Sequence, residues 1–329
     1  MIDLSYPVSY EIGDGTDLNF NTVTDTQTVS GGSVPVTGFM IDAIRVGAVE
    51  PVGFTDARST SDGIDVAEAY ASRRTVTISL SVYGSTRQDL FQKMQTLTDM
   101  MRFMPRRYAT TNGFRKLKFT QLVNNTSVDC YFFARPQKIP NMDALSSMTT
   151  GNTARGYSAR VRLEFLLKYP YKYSQTLKTL ANVVYNNSVT EVVNNGAAPA
   201  DATLTFSADT DASTRAADVK VIVTIGDTPI TLLITKTIGL DSGILRSVLV
   251  DFKEQIVYEI EKTVSTGVTV SSIAQNLIQI DSGATFGTVE PEADYPNGND
   301  LKIQVLDATT LAAITTGYKV SFSWREMWY

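Results

Sequence analysis

The chain has 329 residues, 43% apolar and 19% charged, with a formal net charge of −5; this balance belongs to folded globular proteins, and the length admits two domains of ordinary size. It has no histidine and a single cysteine, Cys130, which excludes an intrachain disulfide, a Ser-His-Asp triad, a Cys-His dyad and a Cys/His zinc site. No run of about 18 apolar residues is present to cross a bilayer as a helix, and residues 1–11 lack the basic start and apolar stretch of a secretory signal, so synthesis in a cytoplasm without export is expected.

Gly13-Asp14-Gly15 and Gly31-Gly32 match no phosphate-loop or dinucleotide pattern and read as turns. Sharp periodicity begins at Arg74. Val76, Ile78, Leu80 and Val82 alternate with hydroxylated residues as far as Tyr83, predicting a strand with one buried face, and Gly84 breaks it. Ser85-Thr86-Arg87-Gln88 reads as a capping box, with Ser85 as the cap and Gln88 reaching back. Leu90, Phe91, Met94, Leu97, Met100/Met101 and Met104 then form one apolar helical stripe, which Pro105 ends. The methionines read as flexible core filler.

A basic cluster follows: Arg102, Arg106, Arg107, Arg115, Lys116 and Lys118. Its first members sit at a helix C-terminus, where cations favour the dipole, and no aromatic platforms interleave with it as single-strand binding requires. It reads as a solvated or inter-subunit surface. Residues 115–122 and 128–133 predict two strands joined at Asn124-Asn125-Thr126-Ser127, with Cys130 a small buried thiol in the second. Residues 141–156 read as an exposed loop. Residues 157–166 alternate through Val161, Leu163 and Phe165, and Pro170 then stops regular pairing.

Beyond about Gln175 the pattern changes to short strand-like runs at 203–206, 219–225, 230–234, 244–251, 255–260, 268–280 and 318–324. Turn signals separate them at Asn194-Asn195-Gly196, Gly226-Asp227, Asp241-Ser242-Gly243 and Asn297-Gly298. This spacing predicts an antiparallel β-sandwich. The charge shifts as well: residues 1–178 carry 20 Lys and Arg against 16 Asp and Glu, and residues 179–329 carry 9 against 18. Such asymmetry marks two separately built domains, 1–178 and 179–329, and the acidic second half argues against duplex binding. The fold class expected is mainly β with one notable helix: an N-terminal β domain containing the strand–helix unit, then an antiparallel sandwich.

Three features invite chemistry. Glu290, Glu292, Asp294, Asn297, Asn299 and Asp300 offer oxygen ligands, but they lack the ligand order of an EF-hand, and Pro291 and Pro296 stiffen the stretch, so it reads as a loop. Glu290 and Glu292 taken as glycosidase carboxylates give a hydrolase reading, which predicts turnover lost on Glu→Gln change at either position. Tyr318, Val320, Phe322 and Trp324 share one parity and read as a core-facing strand; Trp328 and Tyr329, just beyond, are the candidates for stacking on a host polysaccharide. No catalytic residue, cofactor or metal site is assigned.

The order of elements resembles the distal tail proteins of phages with long, non-contractile tails (siphophages). The resemblance begins at Phe39-Met40-Ile41-Asp42-Ala43-Ile44-Arg45 and is strongest from Arg73-Arg74-Thr75 through the Gly-Ser-Thr-Arg-Gln-Asp-Leu helix unit to Met101. It continues at 161–173, where Tyr169 stands in place of the family's aspartate before proline, and at 192–200, which is similar to the linker strand opening the family's C-terminal sandwich. The resemblance implies a tail-tip structural protein and not an enzyme: a hub ring, six copies expected, built by the N-terminal domains. That ring would connect the tail-tube protein to the central tip or fibre protein, with the tape measure and then DNA passing through its lumen without specific binding. It would sit at the distal end of the virion tail after assembly in the host cytoplasm. An extension at 52–69 would embrace the neighbouring subunit, with Phe54, Arg58, Asp62 and Ile64 as interface candidates. The sandwich would lie outside as a docking or carbohydrate-binding platform, an adhesion module being the alternative function.

Overall fold

A computed structural model describes the chain apart from residues 1, 3–6, 13–15, 24, 30–31, 49–50, 53–54, 58–63, 67–69, 72–73, 102–113, 124, 139–156, 187, 210–213, 216–217, 236–237, 274–277, 281–285, 293–298 and 329. It is mainly β, and its one helix among the described residues lies in the first half. The chain divides into two compact units, Met1–Tyr173 and Ser174–Trp328.

Unit 1 contains β1 (Ser9–Glu11), β2 (Asp17–Asn19), β3 (Asp25–Val29), β4 (Gly32–Val46), four short strands β5 (Pro51–Val52), β6 (Thr55–Ala57), β7 (Ile64–Val66) and β8 (Tyr70–Ala71), then β9 (Thr75–Gly84), α1 (Arg87–Met101), β10 (Arg115–Val123), β11 (Thr126–Lys138) and β12 (Tyr157–Leu167). The strand β13 (Lys172–Ser174) straddles the boundary between the units. The antiparallel ladder runs β3–β4–β9–β12–β11–β10–β1–β2.

The alternation in β9 determines the core of this unit. Val76, Ile78, Leu80 and Val82 are fully buried, and in register beside them stand Phe165, Leu163, Val161 and Ala159 of β12. Helix α1 packs on β9 and β12 through Leu90, Met94, Leu97 and Met101. Burying each such side chain is worth about 1.5–3 kcal/mol. Phe91, read into the same stripe, instead points outward and is 53% exposed: one residue after Leu90 it is rotated by about 100° around the helix.

The helix cap also differs from the sequence reading. Thr86 is the capping residue, its Oγ1 accepting from Asp89 N at 3.0 Å, and Asp89 reaches back to accept from Ser85 N at 2.8 Å. The reciprocal pair is therefore Thr86 with Asp89, one position later than Ser85 with Gln88. The carboxylate carries a full charge to the positive helix end, which an amide does not. Only glycine fits just before the cap, since a Cβ on Gly84 would stand 2.5 Å from Leu90 N.

Unit 2 contains β14 (Lys178–Leu180), β15 (Val189–Val192), β16 (Ala198–Ala208), β17 (Thr214–Arg215), β18 (Val219–Ile225), β19 (Thr228–Ile234), β20 (Ile238–Asp241), β21 (Ile244–Asp251), β22 (Ile256–Thr263), β23 (Thr269–Ile273), β24 (Ile278–Ile280), β25 (Asn299–Asp307) and β26 (Tyr318–Trp328). One antiparallel sheet runs β14–β26–β16–β21–β22–β23, with β20 and β17 beside the start of β21. The other runs β15–β25–β18–β19–β24. Residues 268–280 do not form one strand: β23 pairs with β22 in the first sheet, and β24 with β19 in the second.

Between the sheets lies one apolar cluster, including the fully buried Leu204, Phe206, Val221, Val223, Ile303, Val305, Val320 and Phe322. Alternate residues of β18, and of β16 from Ala200, β25 from Leu301 to Val305 and β26 from Tyr318 to Trp324, face it, as expected of a sandwich. Buried asparagines bind the connecting segments. Asn194 donates to Ala198 O and Val289 O, both at 3.0 Å, and accepts from Gly196 N. Asn299 donates to Glu290 O at 2.9 Å and accepts from Glu290 N at 2.8 Å. Asn186, at φ 72°, does the same between Val305 and Ile314.

Candidate interaction surfaces

The first candidate surface is the extension between β4 and β9. Its outgoing and returning strands pair with each other: Pro51 with Ala71 and Val52 with Tyr70, then Thr55 with Val66, Asp56 with Asp65 and Ala57 with Ile64. These are two short antiparallel pairings, β5 with β8 and β6 with β7, lying in sequence between β4 and β9, whose own ladder pairs Val46 with Val76. Of the expected interface residues, Ile64 lies in β7 opposite Ala57. Phe54, Arg58 and Asp62 lie outside the described residues.

The second is the face of β4, β9 and β12 that points away from the apolar row. Strand parity places Arg45 beside Thr77 and Glu164, Ala43 beside Ser79 and Arg162, and Met40 beside Ser81 and Arg160. Arg45, Arg160 and Arg162 are exposed there. Arg162 meets Glu164 at 3.1 Å, and Asp42 accepts from Ser81 at 2.8 Å. This face is polar and cationic, and no spacing in the sequence distinguishes it from an ordinary solvated face.

The basic cluster divides. Arg102, Arg106 and Arg107 lie outside the described residues; Arg115, Lys116 and Lys118 lie on β10. Lys118 pairs with Asp17 at 2.7 Å, and Lys116 sits 5.1 Å over the Tyr131 ring. Tyr131 belongs to an aromatic group with Phe133, Tyr169 and Tyr173 that covers the second face of β11. Cys130, on the opposite parity, is fully buried. Burial pushes the Tyr10 hydroxyl well above its ordinary range, and that hydroxyl donates to Ala134 O.

In unit 2, Trp324 packs on Phe322 and donates to Val193 O at 3.1 Å. Trp328 is buried at 7% exposure, so its ring has no free face for a sugar to stack on, and Tyr329 lies outside the described residues. Glu290 accepts from Thr288, and its backbone is held by Asn299. Glu292 N donates to Asn194 O at 2.8 Å, so both acids sit on a segment that the buried asparagines fix from beneath. Among the described residues no group of three acidic, cysteine or histidine side chains converges as a metal ion requires. Arg246 is the most heavily paired cation described, meeting Asp241 at 2.7 Å and Glu261 at 2.9 Å. Asp201, on β16, is pushed up by burial, with Lys253 opposing at 3.9 Å.

No family model matches the sequence, and no curated protein matches it. Solved structures do. The architecture is shared with a hub protein of a phage adsorption apparatus. In particular, the SPP1 Dit (gp 19.1) protein, described as a paradigm of the hub adsorption apparatus in phages infecting Gram-positive bacteria, superposes with a TM-score of 0.54 at 14% identity. The match covers 98% of this chain and 99% of that one, so the two share a fold from end to end. A chain of the phage p2 baseplate in its activated conformation with Sr matches at a TM-score of 0.41 and 10% identity, over 97% of each chain.

Proposed function

We propose that the chain is a structural subunit of a phage tail tip: a hub ring that joins the tail tube to the central tip or fibre protein. The observation that carries this reading is the end-to-end likeness of fold to the SPP1 Dit hub protein, spanning both units and not one shared domain. Unit 1 would build the ring, six copies closing a lumen through which the tape measure and then DNA pass without specific binding. The extension at residues 52–69 would engage the neighbouring copy, and the sandwich would lie outside the ring. No chemical step is assigned to the protein.

A ring of identical copies needs a heterologous, head-to-tail interface. A closed ring is stabilised on both sides of every subunit, and a permanent interface of this kind buries roughly 2,000 Å² or more. An unpaired two-stranded hairpin contributes little to its own fold in water. Pairings as short as β5 with β8 and β6 with β7 are accounted for by a partner that receives them.

Native mass spectrometry and negative-stain imaging of the full chain at micromolar concentration test the reading. Closed rings of one fixed copy number are expected, and replacing residues 51–71 with a short Gly-Ser turn should leave folded monomers. A protein that stays monomeric alone, and also when mixed with tail-tube and tip proteins, would overturn it.

A further inference from the structure

We infer that Lys178, Asn195 and Glu326 form a self-processing site: Lys178 Nζ joins Asn195 Cγ in an isopeptide bond, ammonia leaves, and Glu326 carries the protons. All three residues belong to unit 2, so the bond does not depend on the ring.

The site is built at one end of β26. Lys178 of β14 pairs with Trp324, and Glu326 is the next residue of β26 on the face of that tryptophan. On the other flank of β26, the turn at 194–196 is fastened by Ala197 N, which donates to Met327 O at 2.8 Å. Gly196 has no room to shift, since a Cβ there would stand 2.5 Å from Met327 O. Glu326 lies between the two flanks, its side chain only 12% exposed. Its Oε1 accepts from Lys178 Nζ, and from both Asn195 Nδ2 and Asn195 N at 3.0 Å.

Two nitrogens that donate to one oxygen stand within roughly 6 Å of each other. Attack requires about 3–3.5 Å between the reacting atoms, and the flexible stem of a lysine can close that gap by rotation. The buried Trp324 ring, with its centroid 6.0 Å from Nζ, keeps water from that side of the ammonium. Asn195 is exposed, which gives the ammonia a way out. The usual competitor at an Asn-Gly sequence is the following backbone nitrogen, which closes a succinimide on the carboxamide carbon. Here Gly196 N is engaged, donating to Asn194 Oδ1 at 2.9 Å.

The step balances without an added reagent. Glu326 takes a proton from the Lys178 ammonium, and the freed electron pair on Nζ forms a bond to Asn195 Cγ. Glu326 hands that proton to Nδ2 and takes a second one from Nζ as the Cγ–Nδ2 bond breaks. The products are a neutral secondary amide, ammonia and one proton, which passes to the ammonia or to solvent. Moving a proton from an ammonium to a carboxylate is uphill, so the bond forms slowly and once per molecule, as a maturation and not a turnover. It ties the three-residue β14 across β26 to the turn that leads into β16.

The test is the intact mass of the full-length protein under denaturing conditions, fresh and after days at neutral and mildly alkaline pH, followed by peptide mapping. A loss of about 17 Da, one ammonia, should appear together with a branched peptide that joins Lys178 to Asn195. Lys178→Arg keeps the ion pair and should abolish both. Glu326→Gln should slow both by about 100-fold or more, the share of a positioned acid–base group. Tryptophan emission checks that each variant is folded, since both tryptophans lie in unit 2. A full sequence mass after prolonged incubation overturns the inference. So does a mass loss that persists in Lys178→Arg, because that is a succinimide at Asn195. A branched peptide that forms at the parent rate in Glu326→Gln overturns the role of Glu326. If a variant does not fold, the presence or absence of the branched peptide in the parent protein decides alone.

Discussion

The two units are both antiparallel β structures, yet they hold their connecting segments in different ways. In unit 2 the connecting segments are held from within: Asn194 and Asn299 are buried and hydrogen-bond the backbone of strands and loops far apart in sequence. In unit 1 a cation makes such contacts: Arg74, just before β9, donates to Gly47 O at 2.6 Å and to Pro170 O at 3.0 Å. The difference teaches where each unit places its freedom to move. Buried amides on backbone carbonyls leave no alternative that does not strand a polar group, so the loops of the sandwich move with its core. A half-buried guanidinium can exchange its carbonyl partners for water at less cost, so the segments joined by Arg74 are the freer ones.

The largest expected effect tests whether the cores are separate. Phe322→Ala should cost unit 2 about 3–5 kcal/mol, since the ring is fully buried against Phe252 and Trp324. Both tryptophans lie in unit 2, so their emission reports that unit, whereas the helical circular dichroism of α1 reports unit 1. The emission midpoint should fall while the helical one holds. Leu97→Ala, at about 2–5 kcal/mol, should do the reverse. If either variant moves both midpoints equally, the comparison of two independent cores fails.

A smaller effect probes the inward-held loops. Asn194→Ala should cost about 1–3 kcal/mol by leaving Ala198 O, Val289 O and Gly196 N without their partner. Chemical denaturation read by tryptophan emission would show it. A change within error would mean that water takes over the role of the amide.

The smallest effect is one of sign with pH. The Lys93 ammonium, with help from Ser85 N and the Thr37 hydroxyl, holds the Asp89 carboxyl down to about 2, below its ordinary 3.8. Asp89 therefore contributes stability that is fully present above 3.8 and lost as pH falls through 2. Asp89→Asn should cost unit 1 about 1 kcal/mol at neutral pH and nothing near pH 1. Asp201 in unit 2 is shifted the other way: burial raises it, so its ionisation costs stability above its ordinary range and protonation restores that stability as pH falls. Asp201→Asn should stabilise unit 2 at neutral pH and flatten its acid limb. Acid melts of the two variants, read by the two probes, should diverge in opposite directions.

Much of the fold was legible where one period ran undisturbed. The eight-residue alternation of β9 followed by the three-and-four spacing of α1 could only be a strand feeding an amphipathic helix. Where two adjacent residues could serve one role, the pattern chose wrongly: Ser85 and Thr86 are both hydroxyls, and both Gln88 and Asp89 can reach back. Strand β25 was lost altogether, although Leu301, Ile303 and Val305 alternate cleanly, because Asn299 and Asp300 at its head were counted with an acidic loop. Asn194 looked like a turn residue. Its burial depends on Val289, nearly a hundred positions away, and no local window contains that contact. The hydrogen bonds of Arg74 were hidden for the same reason, since Gly47 and Pro170 are near it only once the sheet has formed.

Strand β26 gives the sandwich a schedule. It lies in its sheet between β16 and the short β14, the first strand wholly within unit 2, and contributes Val320, Phe322 and Trp324 to the core. Residues made at the start of this unit therefore wait for residues 318–328 before they can be enclosed. The ladder of unit 1 is complete once the ribosome has released residues up to about 173. At about 5–20 residues per second, the interval between these two events is on the order of ten seconds or longer. Throughout that time a folded unit 1 trails an open, apolar half-sandwich. The nascent chain is most exposed to aggregation and to chaperones in this window, and the length of the window is set by the position of one strand in the sequence.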